Sequence, residues 1–545
     1  MEERDSMFPK HHLYRLPKMT ASFDEEKNIG TEKASISPEE SQIGHVITTI
    51  ISPGGKEVAV TGDVDEAMKL AIASENIELT PERASKLLRK IDLYLLPLLG
   101  LLYAVQFMDK TTNANAAIMG LKTDLNMVGD MYTWVGSSFY LGYLAFEFPV
   151  SSMLQRFPLA KMTSIFIFLW GIVLCLHATP NYGGFIFLRT MLGALESSIT
   201  PAMMILTSQW YKREEQFMRT CIWFGCNGFG MMFGSAIALG ISVHSDNYSI
   251  EGWKILFIVT GLITIVVAIM FFFHIPDTPA GAWFLTDEEK LMVVERIRSN
   301  NQGFGNKHFK KKQFVEALTD IRTWVFFFFA LLTNIPNGGI SNFGAILLTS
   351  DFGFTIHETL KWGMVPGAVE LIGCPLFGYL SKYVKNRMIA AIVAIAITLI
   401  GACLLAFATE AKQARMAGYF VQGIAPVGMI ACLSLFSSNV AGHTKKLSVN
   451  AIYLVGYCVG NLIGPQTFRA LDAPSYNPAK ITIVACYLVS LFLLGWFYFS
   501  YWNDNRKRDA RQSEREKLGM TEPVMENLEF ADLTDKENPN FRYAL

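Results

Sequence analysis

Between residues 91 and 502 the chain repeats one pattern about twelve times: some twenty residues almost free of charge, then a short polar junction. No other feature constrains the fold as much. Twenty residues wound at ~1.5 Å each cover the ~30 Å hydrocarbon core of a bilayer. Inside that core the backbone satisfies its own hydrogen bonds only as a helix or a closed barrel. The runs predict membrane-spanning helices at 91–118, 131–153, 160–178, 184–209, 217–242, 253–274, 323–349, 360–383, 388–408, 415–438, 447–467 and 480–502. The fold class expected is an all-α integral membrane protein embedded in the lipid bilayer. Its twelve transmembrane helices form two six-helix halves.

The remaining segments fill in the plan. Residues 1–85 are polar and rich in Ser, Thr, Glu and Lys, the composition of a disordered tail. Residues 86–275 make the first half, 276–322 a central loop, 323–502 the second half and 503–545 a C-terminal tail. "LTPERASKLLRKID" (79–92) predicts a short amphipathic helix lying on the membrane before the first span, with Thr80 as cap and Pro81 at its first position. Thr286 and Glu289 form a capping-box pattern, which places one short helix in the central loop. No signal peptide precedes the first apolar run, so that helix is the expected insertion signal.

Positive charge orients the chain. Lys and Arg gather at the even-numbered junctions and in the C-terminal tail: Arg156 and Lys161, Lys212 to Arg219, Lys310 to Lys312, Lys382 to Arg387, Lys445 and Lys446, Arg506 to Arg508. The opposite junctions "HATPNYGG" and "SVHSDNYSIEG" carry none. Both termini are therefore expected in the cytoplasm. The single N-x-S/T acceptor, Asn247, falls in an outer loop, where it is a candidate for glycosylation.

Several function classes drop out. A net charge of −1 offers no basic surface for nucleic acid. The eight cysteines sit inside apolar runs with no CxxC spacing, so neither a zinc site nor a disulfide framework is expected. The nine histidines are scattered, and no HExxH, Walker A or GxSxG motif occurs. An enzyme is not expected, and neither is a metal or an organic cofactor.

What stands out is charge within the oily runs, where each ion at mid-bilayer costs ~2.5–3.5 kcal/mol on insertion scales. "FMDKTTNANAA" (107–117) sets Asp109 beside Lys110 at the outer part of the first span. The pair either ends the helix at the outer interface or sits in the outer half of a longer helix, inside the protein. In the fourth span Arg189 and Glu196 are two turns apart on one face, with Pro201 positioned to kink the helix below them. Two acids and two bases thus occur at similar depth. A carboxylate there has two stable states, paired and ionised or protonated and neutral, which suits it to carry a proton. A spare cation suits an anionic ligand, and a static ion-pair network is the alternative. Tyr143, Asn227 and Glu370 are further polar positions in spans two, five and eight, and Glu147 reads as a gate or loop contact. "TNIPNGGISNFG" (333–344), which contains Asn337, predicts a broken or bent seventh helix lining a cavity.

Taken in order, these stretches resemble the major facilitator superfamily, and within it the fungal allantoate permease, or anion:cation symporter, family. The similarity covers about residues 80–505. It rests on "KIDLYLLPLL", "FMDKTTNANAA", "FYLGYLAFEFP", "RTMLGALESSITPAM", "WYKREEQFMRT", "EGWKILFIVTGLIT", "IPDTPAGAWFLTDEEK" and "APSYNPAK". The resemblance implies the major facilitator fold and proton-driven import of a small organic anion by alternating access, with the proton as the coupling ion. Asp109 and Glu196 match protonatable positions of the family. Lys110 and Arg189 match basic positions that favour an anion. Tyr143 and Asn227 match polar cavity positions, and Asn337 and Glu370 join them as candidate substrate contacts. Two departures are visible. Where related anion transporters often carry Arg, this chain has Lys110, a point charge rather than a planar fork. The loop "SSMLQRFPLAK" keeps Arg156 but has Gln155 where the superfamily has an acid.

The expectation is a monomeric plasma-membrane symporter for an allantoate-like carboxylate, ureido acid or sulfonate. A vitamin carrier (nicotinate, pantothenate, biotin or thiamine), a non-transporting nutrient sensor, and residence in the endoplasmic reticulum or vacuole are the alternatives.

Overall fold

The structure is a computed structural model that describes residues 49–51, 57–59, 80–179, 181–298, 310–381, 383, 387–517, 533–538 and 541–544. The chain divides into two units, Met1–Thr61 and Gly62–Leu545. In the first, β1 (Thr49–Ile51) and β2 (Glu57–Ala59) pair antiparallel with Ile50 opposite Val58. At these six positions of the segment expected to be mostly disordered, β-branched residues favour a pleated strand. The rest of the segment up to Leu79 lies outside the described residues.

The second unit is a helical body. Its first part contains α1 (Pro81–Ala116, prolonged by a π-helical turn at Ala117–Leu121 and a last turn to Asp124), α2 (Met131–Arg156), α3 (Leu159–Leu176), α4 (Tyr182–Glu196), α5 (Ile199–Trp210), α6 (Arg213–Val243) and α7 (Gly252–His274). Two short helices follow, α8 (Asp287–Arg298) and α9 (Lys311–Thr319). The second part contains α10 (Ile321–Ser350), α11 (Ile356–Trp362), α12 (Met364–Leu380), α13 (Arg387–Phe407), α14 (Lys412–Val421), α15 (Ala425–Asn439), α16 (His443–Gln466) and α17 (Asn477–Lys517). Ten of the resulting rods are long and apolar enough to cross a bilayer. With α2 and the interrupted α4–α5 they make the twelve expected. Inside each part, α1 packs on α6, α3 on α7, α2 on α4, α10 on α16 and α13 on α17. The two parts meet where α6 packs on α12, α2 on α16 and α1 on α10.

The expected surface helix at 79–92 is not separate. Its described part is the upright base of α1, because its apolar face, Leu87 and Ile91, is buried in the protein core and not in lipid. Its charged face is paired as well. Arg219 of α6 grips Asp92 through two hydrogen bonds of 3.2 and 2.8 Å, Lys90 meets Glu289 at 2.7 Å, and Arg83 meets Glu288 at 3.0 Å. Thr80 accepts from the Arg83 N–H as the cap.

The seventh span is not broken either. α10 runs through Pro336 without interruption. Its Asn- and Gly-rich stretch serves helix packing. A Cβ on Gly338 would stand 2.5 Å from the Asn461 carbonyl, and one on Gly464 would stand 2.4 Å from that of Ile335. Small residues thus let α10 and α16 touch backbone to backbone. The asparagines close the seam: Asn337 Nδ2 donates to Asn461 Oδ1 (2.9 Å), and Asn461 Nδ2 donates to Asn334 Oδ1 (3.0 Å).

The end of the molecule that carries the Lys- and Arg-rich junctions, called the basic end below, is more ordered than expected. α8 forms the expected capping box, with the Thr286 N–H donating to Glu289 (2.9 Å) and the Glu289 N–H to Thr286 (3.3 Å), while α9 is an additional helix. α17 continues fifteen residues past the expected end of the last span, and residues 533–538 and 541–544 fold back onto it. Arg508 donates to the carbonyls of Asp535, Asn538 and Phe541. Lys445, 2 % exposed, ties this strap down: its Nζ lies 2.6 Å from Asp535, 2.9 Å from Glu316 of α9 and 3.3 Å from Asp320. One cation thus bridges three carboxylates, of which Asp320 also meets Lys536 at 3.0 Å. Replacing Lys445 by Ala leaves them facing one another, so we expect a loss of ~3–5 kcal/mol, read as a lower melting temperature. Burial opposes ionisation of Asp320, yet Lys536, Lys445 and the Arg322 N–H outweigh it and hold its carboxyl below the usual range. That contribution is present above a pH of about 3.9, the ordinary Asp value. It is lost as pH falls through the lower folded value.

Candidate functional site

A cavity of ≈ 970 Å³ lies between the two parts of the helical body. Its lining runs from Lys110 and Asn337 at mid-depth to Gln216, Phe314 and Lys446 at the basic end. Towards the opposite end the parts are joined by hydrogen bonds, among them the Ala470 N–H donating to Asp130 Oδ1 (2.8 Å). Asn113 Nδ2 donates to Asn342 Oδ1 (3.3 Å), Tyr132 donates to the Asn342 carbonyl (3.0 Å) and Gln466 Nε2 donates to Ser137 (3.0 Å). The conformation is therefore closed at one end and open towards the basic end.

α1 supplies one wall. Tyr103, Gln106, Phe107 and Lys110 recur at steps of three and four, so they share a face and all line the cavity. Asp109 is one residue earlier and about 100° round the helix. It therefore turns away from the cavity and is 0 % exposed. Its Oδ2 accepts from Thr264 of α7 at 3.1 Å, and its Oδ1 has no partner among the described residues. α1 continues past the pair, so Asp109 and Lys110 do not end the helix.

Glu196 and Arg189 come from α4. Glu196, 0 % exposed, is its last residue, and its Oε2 lies 3.8 Å from Lys110 Nζ. The helix is interrupted at Ser197–Ser198 before α5 begins. Pro201 explains the position: it has no N–H for the Ser197 carbonyl, and its ring crowds that carbonyl. The ion pair of Glu196 is thus with Lys110 and not with its helix-mate Arg189. Arg189 is buried beside Phe139 instead, its guanidinium 5.5 Å from the ring centre, with Nε donating to the Val135 carbonyl at 3.4 Å. Lys110 Nζ lies 5.6 Å from the same ring. α2 and α4 can approach so closely because Gly142 and Gly193 face them. A Cβ on Gly193 would stand 1.9 Å from the Phe139 carbonyl. Gly193→Val should force the two helices apart and cost ~1–3 kcal/mol as overpacking. A melting curve would show it, together with weakened uptake because Phe139 moves away from Lys110.

Of the expected site residues, Lys110, Tyr143, Asn227, Asn337 and Glu370 line the cavity, whereas Asp109, Arg189 and Glu196 form a layer behind Lys110. Tyr143 donates to Thr200 at 3.5 Å. Asn247 is exposed at the far end, remote from the cavity. Of the two readings of Glu147, gate or loop contact, the structure corrects the loop contact. The side chain is buried in the cavity wall, where Cys458 of α16 donates to its Oε2 at 3.7 Å. Its spacing of four from Tyr143 and seven from Tyr140, both on the wall, was the available signal. Tyr457, whose ring lies 6.1 Å from that of Tyr143, had no such signal, because it comes from the other part of the chain. Among the described residues no cluster of three His, Cys, Asp or Glu could hold a metal ion.

Chemically, the site offers a single cation at the boundary between a water-accessible cavity and a sealed acidic layer. Lys110 can meet a ligand anion on one side or Glu196 on the other.

Comparison with known proteins fits this arrangement. The family model described as Major Facilitator Superfamily matches residues 99–465. The chain is 50% identical over 537 residues to the allantoate permease of Saccharomyces cerevisiae, covering 96% of this chain and 98% of that protein. It is 47% identical to an uncharacterized transporter of Schizosaccharomyces pombe, covering 88% and 94%. It is 32% identical to a thiamine pathway transporter of Saccharomyces cerevisiae, covering 95% and 98%. Among solved structures, a bacterial homolog of the human lysosomal transporter Spinster, in an inward-facing and occupied conformation, matches with a TM-score of 0.53 at 16% identity, covering 74% of this chain and 96% of that one. That last likeness concerns the fold.

Proposed function

The chain belongs to the Major Facilitator Superfamily and, within it, to the allantoate permease family of fungi, and from that premise we propose that it imports a small organic anion together with protons. It is a multi-pass membrane transporter of a small organic substrate and not an enzyme. The finer reading is ours. A ureido carboxylate such as allantoate is the first candidate substrate, in keeping with the name of the 50% identical relative.

The observation that carries the reading is the position of Lys110 between the cavity and Glu196. While Glu196 is ionised, it holds the ammonium. A proton on Glu196 removes that attraction and leaves Lys110 free to meet an anion from the cavity. Proton and anion then bind as a neutral sum, and the buried layer keeps its charge balance through the cycle. Arg189 keeps the layer positive enough to accept the anion, and Asp109 is the second acid of the coupling set, held by Thr264. Tyr143, Asn227 and Asn337 shape the cavity around the ligand. The basic end faces the cytoplasm on the positive-inside rule, so the described conformation is the releasing one, in the plasma membrane. A vitamin that is itself a cation fits less well against Lys110.

The test is uptake of radiolabelled allantoate into cells stripped of their own permeases, with and without an inward proton gradient. We expect accumulation that collapses with a protonophore. Failure of every small organic anion to accumulate would overturn the reading.

A further inference from the structure

The cavity wall formed by α12 holds a carboxylate that this coupling scheme leaves unused. Glu370 is 4 % exposed and lines the cavity, and its Oε1 has no hydrogen-bond partner among the described residues. No described cation lies within ion-pairing distance of it. A polar neighbour on the same cavity wall is Asn227 of α6, from the other part of the molecule. The backbone creates this meeting. A Cβ on Gly228 would stand 2.0 Å from the Gly367 carbonyl, so α6 and α12 touch there. Asn227 immediately precedes Gly228 on one helix, and Glu370 lies three residues, about one turn, after Gly367 on the other.

Lys110 and Glu370 therefore offer one cavity two opposite chemistries from two different parts of the chain. An ammonium donates and attracts an anion; a carboxylate accepts and attracts N–H groups. We infer that Glu370 and Asn227 form the donor-reading pole of the substrate site, so that the substrate is an organic anion whose far end carries N–H groups, as a terminal ureide or primary amide does. The parallel N–H pair of a terminal ureide, one from each nitrogen, matches the two oxygens of Glu370, and a primary amide offers one N–H to one of them. A ligand held by Lys110 at one end and Glu370 at the other spans both parts of the molecule. This inference rests on the reading of the cavity as an anion site.

Two probes of equal chain length separate the poles: N-carbamoyl-β-alanine, a ureido acid, and hexanoate, which has the carboxylate alone. Dissociation constants follow from ligand-induced thermal stabilisation of the purified full-length protein. The wild type should bind the ureido acid at least about tenfold more tightly, since a site built for N–H groups rejects ligands lacking them. Glu370→Gln should erase most of that preference by weakening the ureido acid while hexanoate binding stays unchanged. Glu370→Asp, which keeps the charge, should retain the preference and covers the case in which the glutamine variant does not fold. Equal loss for both acids in Glu370→Gln, or an unchanged preference, overturns the inference. Equal affinity of the wild type for the two acids also overturns it, with the anion site intact. Binding of neither acid by the wild type would instead sink the underlying reading. Lys110→Gln, by contrast, should weaken both acids together.

Discussion

Replacing Glu196 by Gln is expected to abolish proton-driven accumulation while leaving anion exchange intact. The side chain lies 3.8 Å from Lys110 at 0 % exposure, so its protonation state decides whether the ammonium is engaged from behind. Glutamine copies the shape of a protonated glutamate and cannot ionise. Lys110 then stays free for the ligand in every part of the cycle. The anion still binds and still crosses, but no proton need accompany it. In proteoliposomes, preloaded substrate should exchange at a rate within a few-fold of wild type. Uphill uptake driven by a pH gradient should fall to background. If accumulation persists, Glu196 merely holds helices together, and Asp109 becomes the sole candidate for coupling. If exchange vanishes along with accumulation, the substitution has damaged the site itself, and the melting temperature would reveal it.

Loss of Lys110 is expected to have the other large effect. It is the cation on the cavity wall at the depth of the acidic layer, whereas Lys446 lies at the basic end. Truncating one partner of a buried, hydrogen-bonded charge pair costs ~2–5 kcal/mol, equivalent to ~30- to several-thousand-fold in affinity. Lys110→Ala should therefore raise KM for any anion by two orders of magnitude or more and also strand Glu196 without its partner. Lys110→Arg gives the informative contrast. It keeps the charge and adds a planar fork suited to a carboxylate. Transport should survive, but the bulkier guanidinium must share the Phe139 ring with Arg189. Measured KM values for both variants, against wild type, test the assignment. An unchanged KM in Lys110→Ala would remove Lys110 from the binding site.

Part of this site was legible in the chain before folding. Lys110, Tyr143, Asn227, Asn337 and Glu370 are polar residues within apolar runs, and the price of placing them there marks them. Each of the five lines the cavity. Adjacency left one point open. Asp109 and Lys110 are neighbours in sequence, yet neighbours on a helix point in different directions, and only Lys110 reaches the cavity. Spacing was silent on partners: Arg189 and Glu196 share a face, and each meets its partner on a different helix. Of the two readings of Glu147, gate or loop contact, the loop contact fails because the side chain is buried in the cavity wall, as the i, i+4 relation to Tyr143 could have indicated.

What the sequence determined by itself was the class of solution. Twelve runs too apolar for water and long enough for a bilayer permit little besides spanning helices, because an unpaired backbone in lipid is too costly. The basic junctions set which ends lie together. Local rules such as the cap at Thr80 and the box at Thr286 and Glu289 follow from neighbours within a few residues. Only the tertiary structure decided which polar and charged side chains meet. The pairs Lys110–Glu196, Lys445–Asp535 and Asn227–Glu370 join residues 86, 90 and 143 positions apart. Their contact depends on helix rotation and on glycine-lined seams that let backbones touch. Those are properties of packing between helices, and no periodicity within a single helix encodes them.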